Sequence, residues 1–133
     1  MARTKKRSVG WLELTVDNAP RVKDFYVEVV GWYPEPVEMG GYADYNLCNP
    51  ADGKPVVGVR HPRAGIPSLP PQWIPYVEVD SLEACIRILL DLGGSMVTWP
   101  RDMDEPGKRY MLIRDPAGAV MALVEHSKKA KGA

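Results

Sequence analysis

Few side chains in this sequence can do chemistry, and two of the best are carboxylates in similar settings. Glu13 stands in WLELTVD and Glu78 in WIPYVEVD. Each alternates with apolar neighbours, Leu12, Leu14 and Val16 or Val77 and Val79. Side chains alternate faces along a strand, so each carboxylate should face away from its apolar neighbours. Trp11 and Thr15 share the parity of Glu13, and Ile74 and Tyr76 share that of Glu78. Two enclosed carboxylates could act as acid and base, whereas at a strand edge they are simply solvated charges. His61 and His126 end two further apolar runs. The expected reading is a solvated strand end for each, and the alternative is a rim ligand or proton relay. Cys48 and Cys85 have no metal-type spacing and read as buried small residues in a reducing cytoplasm.

The elements that must hold these groups come in two similar sets. Leu14-Thr15-Val16-Asp17 returns as Val77-Glu78-Val79-Asp80, and the helix-ending Gly31 returns as Gly93. Asn49-Pro50-Ala51-Asp52-Gly53 leads into a run ending at His61, and Asp115-Pro116-Ala117-Gly118 into one ending at His126. A repeat this long means one supersecondary unit used twice. In each copy a strand (9–16, 73–79) precedes a helix. Asp17 or Asn18 caps the first helix, with Pro20 in its first turn, and Asp80 or Ser81 caps the second. Val22, Phe25, Tyr26, Val29 and Val30 form the first helix's expected apolar stripe. Leu82, Cys85, Ile86, Leu89 and Leu90 form the second's.

Three strands follow in each copy. The first set is 32–38, 42–47 and 56–61, with a Gly40-Gly41 turn. The second is 96–99, 110–113 and 120–125, with a polar loop over 101–108. The predicted fold class is α+β, two βαβββ modules in one domain over residues 9–126. The modules are 9–61 and 73–126, and the proline-bearing stretch 62–72 links them. Residues 1–8 and 127–133 read as solvated arms.

Composition narrows the function. Lys plus Arg and Asp plus Glu are both 17, for a net charge of zero. That balance gives no support for a nucleic-acid or acidic-membrane partner. No apolar run approaches the roughly 20 residues needed to span a bilayer. The start, MARTKKRSVG, lacks the apolar core of a signal peptide.

The order of elements resembles the vicinal oxygen chelate superfamily, which includes glyoxalase I, extradiol dioxygenases, methylmalonyl-CoA epimerase and bleomycin-resistance proteins. The residues carrying the resemblance are Phe25-Tyr26 with Gly31-Trp32, Tyr76 to Asp80, Leu92-Gly93-Gly94 and Asp115 to Gly118. The resemblance implies two half-barrels enclosing a cavity. It also implies four metal-ligand positions, which fall at Trp11, at Val57 or Gly58, at Ile74 and at Ala122. None of these side chains can ligate a divalent cation. Val120 and Val124 share the parity of Ala122.

The resulting expectation is a metal-independent binder of a small organic ligand, without cofactor, cytoplasmic and homodimeric. Its wall would comprise Trp11, Glu13, Thr15, Ile74, Tyr76, Glu78 and Ala122, and a flat or cationic aromatic ligand would suit it. Two alternatives stand beside it. One is an enzyme of the same superfamily that binds metal through Glu13, Glu78 and His61, or uses Glu13 or Glu78 as acid-base. The other is a structural or interaction module with a filled cavity.

Overall fold

A computed structural model describes residues 7–126. The elements, in order, are β1 (Val9–Thr15), α1 (Ala19–Val30), β2 (Tyr33–Glu38), β3 (Ala43–Cys48), β4 (Pro55–Arg60), β5 (Trp73–Glu78), α2 (Leu82–Asp91), β6 (Ser95–Met96), β7 (Arg101–Asp102), β8 (Lys108–Arg114) and β9 (Val120–His126). The fold class is α+β, as expected. The chain forms two compact units. The N-terminal unit is Trp11–Ile74; the C-terminal unit takes in residues 7–10 and 75–126 of the described chain.

In the N-terminal unit the strands lie in the order β2-β3-β4-β1. The β2/β3 and β3/β4 ladders are antiparallel and β1/β4 is parallel. Pro34 and Pro36 sit in β2, at the end of this order, where a missing N–H costs no ladder bond. The Asn18 side chain caps α1 by accepting from the Arg21 N–H. Gly31 ends α1 at φ 87°, a left-handed conformation that glycine adopts without a Cβ clash. Ala19, Leu47, Val57 and Val59 form the core beneath the helix, with Leu12, Val16, Val22, Tyr26, Val27, Trp32 and Trp73 packed on it. Each such aliphatic side chain, fully buried, contributes about 1.5–3 kcal/mol. The helix stripe is therefore Ala19, Val22, Tyr26 and Val27. Phe25, Val29 and Val30, expected in the stripe, are exposed. Positions 19, 22, 26 and 27 lie on one side of the helix, and position 25, about 120° from 19 at 3.6 residues per turn, turns away from the strands.

The C-terminal unit repeats the plan, with β9 between β5 and β8 and with β6 and β7 both on β8. β5/β9 is parallel and β8/β9 antiparallel. Ser81, one of the two expected caps, accepts from the Ala84 N–H. Leu82, Met111 and Leu123 form the core, joined by Val79, Cys85, Ile86, Met96, Ile113 and Met121. Leu90, expected in the stripe, is exposed. The strand expected over 96–99 is only Ser95–Met96. Val97 and Thr98 both donate their N–H groups to the Leu112 carbonyl, while Leu112 N–H donates to Thr98 Oγ1. That doubled bonding breaks the ladder register, and Pro100 has no N–H to restore it. The pairing resumes as β7, inside the expected loop 101–108.

The two turns that signalled the repeat use the same device. Asn49 Oδ1 accepts from the Ala51 N–H, and Asp115 Oδ1 from the Ala117 and Ala119 N–H groups. Residues 62–72 contain neither helix nor strand. The expected arms lie outside the described residues at 1–6 and 127–133.

Candidate functional site

Strand parity places two faces away from the helices, one in each unit. In the N-terminal unit, register aligns Glu35, Asn46, Gly58 and Glu13 as one row across β2, β3, β4 and β1. A second row pairs Arg60 with Thr15. Arg60 folds back over Gly58. A Cβ at Gly58 would stand 2.8 Å from the guanidinium carbon of Arg60 and 3.1 Å from Trp11 Cζ2. Glycine at this rung is what lets the guanidinium lie flat on the strand.

The guanidinium is firmly held there. Arg60 Nε donates to Glu13 Oε2 at 3.2 Å, Nη1 to the Tyr45 carbonyl at 2.9 Å and Nη2 to Asn46 Oδ1 at 3.0 Å. Trp11 Nε1 donates to the same Glu13 oxygen at 3.0 Å. Asn46 Nδ2 in turn donates to Glu35 Oε1 at 3.1 Å. Among the described residues, three of the five guanidinium N–H donors are used, which leaves two for a ligand oxygen. The Glu13 charge is thus matched by Arg60. Neither Arg60 nor Asn46 was singled out in the sequence. The signal available was the parity that Arg60 shares with Gly58, two residues apart on one strand.

In the C-terminal unit the corresponding row is Tyr76, Ala122 and Leu112, and the next is Glu78, Val124 and Tyr110. The Tyr76 and Tyr110 rings lie 6.3 Å apart at 32°. His126 Nε2 is 3.1 Å from Glu78 Oε2, and both side chains are substantially exposed. Ala122 is buried, as is Ile74 at the start of β5 in the N-terminal unit. Tyr110 is the aromatic neighbour that the sequence reading missed.

The helix sides carry different chemistry. Glu125 Oε1 accepts from the Leu82 N–H at the start of α2 and from Arg109 Nη2, which also bonds Glu83. Hydrogen bonds to Glu125 and then Glu83 raise the Arg109 pKa. Glu83 is lowered by its backbone hydrogen bond and then by Arg109. Burial raises the thiol pKa of Cys48, with a further push from Glu35, and burial likewise raises that of Cys85. Both cysteines are free.

A divalent metal does not fit the residues present. Trp11, Gly58, Ile74 and Ala122 offer no donor, and no group of three or more His, Cys, Asp or Glu among the described residues could hold one. No helix of the described residues is long and apolar enough to cross a membrane.

Comparison with known proteins fixes the family. The model of the Glyoxalase/Bleomycin resistance protein/Dioxygenase superfamily matches residues 8–123. The chain belongs to this superfamily. Among relatives of this superfamily chain is the anthracycline biosynthesis protein DnrV of Streptomyces peucetius, 31% identical over 121 residues. That match covers 89% of this chain but 41% of DnrV, so the chain spans less than half the length of that relative. Methylmalonyl-CoA epimerase from Mycobacterium tuberculosis shares the fold at a TM-score of 0.58 and 18% identity, over 100% of this chain and 97% of the epimerase. A methylmalonyl-CoA epimerase in complex with methylmalonyl-CoA and ammonium also has a TM-score of 0.58, at 14% identity, over 92% of this chain and 96% of that one. At these identities the structural likeness speaks for the fold alone.

Proposed function

We propose that this superfamily domain binds a small organic ligand without a metal, working as one domain over residues 9–126. The observation that carries this reading is the Arg60 guanidinium lying over Gly58, hydrogen-bonded to Glu13 and Asn46. It puts a fixed cation with spare N–H donors where the superfamily's metal enzymes would have a ligand. A guanidinium can donate to a carbonyl, phenolic or carboxylate oxygen without metal chemistry. Trp11, Glu13, Thr15 and Ile74 supply the wall in one unit, and Tyr76, Glu78 and Ala122 in the other. Such a wall mixes stacking area with a few orienting polar groups. Since Glu13 is already matched by Arg60, the ligand is a flat aromatic with an oxygen acceptor rather than an organic cation. A relative named for anthracycline biosynthesis agrees with an aromatic ligand.

The test is Trp11→Ala, read by equilibrium binding of a panel of aromatic carbonyl compounds and by thermal melting. The expected result is about tenfold weaker binding, since a lost stacking contact is worth about 1–2 kcal/mol. The fold should survive, because the helix-packing faces are untouched. A loss of about 3–5 kcal/mol in stability, the scale of a deleted core aromatic, would instead favour the filled-cavity module. The free thiols of Cys48 and Cys85 suit a reducing cytoplasm. The domain is expected to form a homodimer that covers strand edges; sedimentation as a monomer at micromolar concentration would refute this.

A further inference from the structure

One ionisable cluster on the open face of the N-terminal unit is not used by the Trp11–Glu13–Arg60 network. Asp44 lies two residues before Asn46 on β3, so both side chains leave the strand on the same face. Asp44 is 1% exposed. Its Oδ1 accepts from the backbone N–H of His61 at 2.9 Å and lies 3.0 Å from His61 Nδ1. Its Oδ2 has no hydrogen-bond partner among the described residues and faces Arg63 Nη2 at 3.5 Å. The Tyr42 ring meets the imidazole edge-on, with centroids 5.0 Å apart.

This arrangement fixes the imidazole. A neutral imidazole that donates Nδ1–H to a carboxylate carries its lone pair on Nε2. Two bonds to one Asp44 oxygen and the Tyr42 contact hold the ring in one orientation. The His61 side chain remains 24% exposed. His126 is held the other way round: its Nε2 is the atom engaged, by Glu78. Of the two histidines, only His61 is presented as a proton acceptor through Nε2.

We propose that His61 accepts the proton of an acidic O–H on a small aromatic ligand, with Asp44 as the positioning residue. This rests on the small-molecule reading above. The O–H bond breaks, its electron pair stays on the ligand oxygen, and the proton passes to Nε2. Asp44 and the Arg63 guanidinium flank the resulting imidazolium. No redox partner is needed. The ligand class is therefore phenols and enols rather than ethers or hydrocarbons.

The experiment titrates para-nitrophenol and its methyl ether, para-nitroanisole, into the full chain, following tryptophan fluorescence and phenolate absorption. Wild type should bind the phenol about tenfold or more tighter than the ether, the scale of one charge-assisted hydrogen bond. The bound phenol should show phenolate absorption at a pH where the free probe is mostly protonated. His61→Phe should erase the preference and the phenolate signal while binding of the ether changes less than about threefold. His61→Gln, which cannot take up the proton, should erase the phenolate signal too and serves if the Phe variant fails to fold. Asp44→Asn should weaken the phenolate signal and, in ¹⁵N spectra, release the His61 Nδ1–H tautomer, changes that a purely structural Asp44 would not cause. Persistence of the phenol preference in the folded His61 variants overturns the proposal alone. Failure of wild type to bind either probe overturns it together with the aromatic-ligand reading.

Discussion

The two open faces are built on matching rungs and satisfy them in opposite ways. Glu13, Gly58 and Asn46 in the N-terminal unit correspond to Tyr76, Ala122 and Leu112 in the C-terminal unit. One step along, Thr15 and Arg60 correspond to Glu78 and Val124. By the same alternation Asp44 corresponds to Tyr110. A long cation in the first unit needs a rung without a Cβ beneath it, and Gly58 supplies that. In the second unit Val124 is too short to fold back, and Ala122 keeps its methyl group. Carboxylate treatment differs as well. The Glu13 side chain is 18% exposed and bound by an indole and a guanidinium. That of Glu78 is 40% exposed and meets a single histidine. The repeat has preserved the backbone while one copy became a polar network and the other an aromatic, mostly apolar face. A difference of two or three side chains per face is enough to change what a shared scaffold recognises.

The sharpest way to break this contrast is at Asp44. Asp44→Ala should cost about 1–3 kcal/mol, because the His61 backbone N–H and ring lose their buried hydrogen-bond acceptor. Tyr110→Leu, at the matching rung, should cost about 1 kcal/mol, since an apolar side chain remains to cover Ala122 and Tyr76. Chemical denaturation of both variants checks the ordering, and equal losses would mean that the two rungs are energetically alike.

A smaller effect is expected where the two faces differ by one methyl group. Gly58→Ala places a Cβ 2.8 Å from the Arg60 guanidinium, and the flexible side chain must swing away. Stability should fall by about 1 kcal/mol while binding of oxygen-bearing aromatics drops about tenfold, as two hydrogen bonds at Arg60 are lost. Ala122→Gly, at the matching rung with no cation to displace, should weaken binding far less. Calorimetric titration of the two variants distinguishes a built cation site from a merely polar surface.

The smallest effect lies on the helix side of the C-terminal unit. Glu83 has its folded-state pKa lowered by its backbone hydrogen bond and by Arg109. A lowered carboxylate pKa adds stability that is fully present above the ordinary glutamate value of about 4.3 and is lost as the pH falls through the lower folded value. Glu83→Gln should therefore flatten the acid limb of melting temperature against pH by slightly lowering the neutral plateau, while leaving stability at the acid end, where Glu83 is protonated, nearly unchanged.

Much of this was legible in the chain. Alternation in WLELTVD and IPYVEVD placed Leu12, Val16 and Val79 on the helix side, where they pack. Asn18, one of the two expected caps, and the turn residues Asn49 and Asp115 each accept a backbone N–H. These features depend on two or three adjacent residues, which is the range over which a sequence speaks directly. The helix stripes were read too widely, because valine and leucine on an exposed helix face look the same in a sequence as buried ones. The short β6 and the added β7 escaped because they depend on how Thr98 meets Leu112 across a ladder.

Sequence alone determined the repeat, the strand-helix-strands plan of each copy, a pair of cap candidates for each helix and the absence of donor side chains at Trp11, Val57 or Gly58, Ile74 and Ala122. Tertiary structure decided which charges meet. Glu13 and Arg60 are 47 positions apart, and His61 and Asp44 are 17 apart. Neither pair has a local signature, because strand pairing rather than spacing brings them together. The register of β1 on β4 and of β4 on β3 set Arg60 above Gly58 and His61 beside Asp44, and those contacts define the chemistry available to the N-terminal unit.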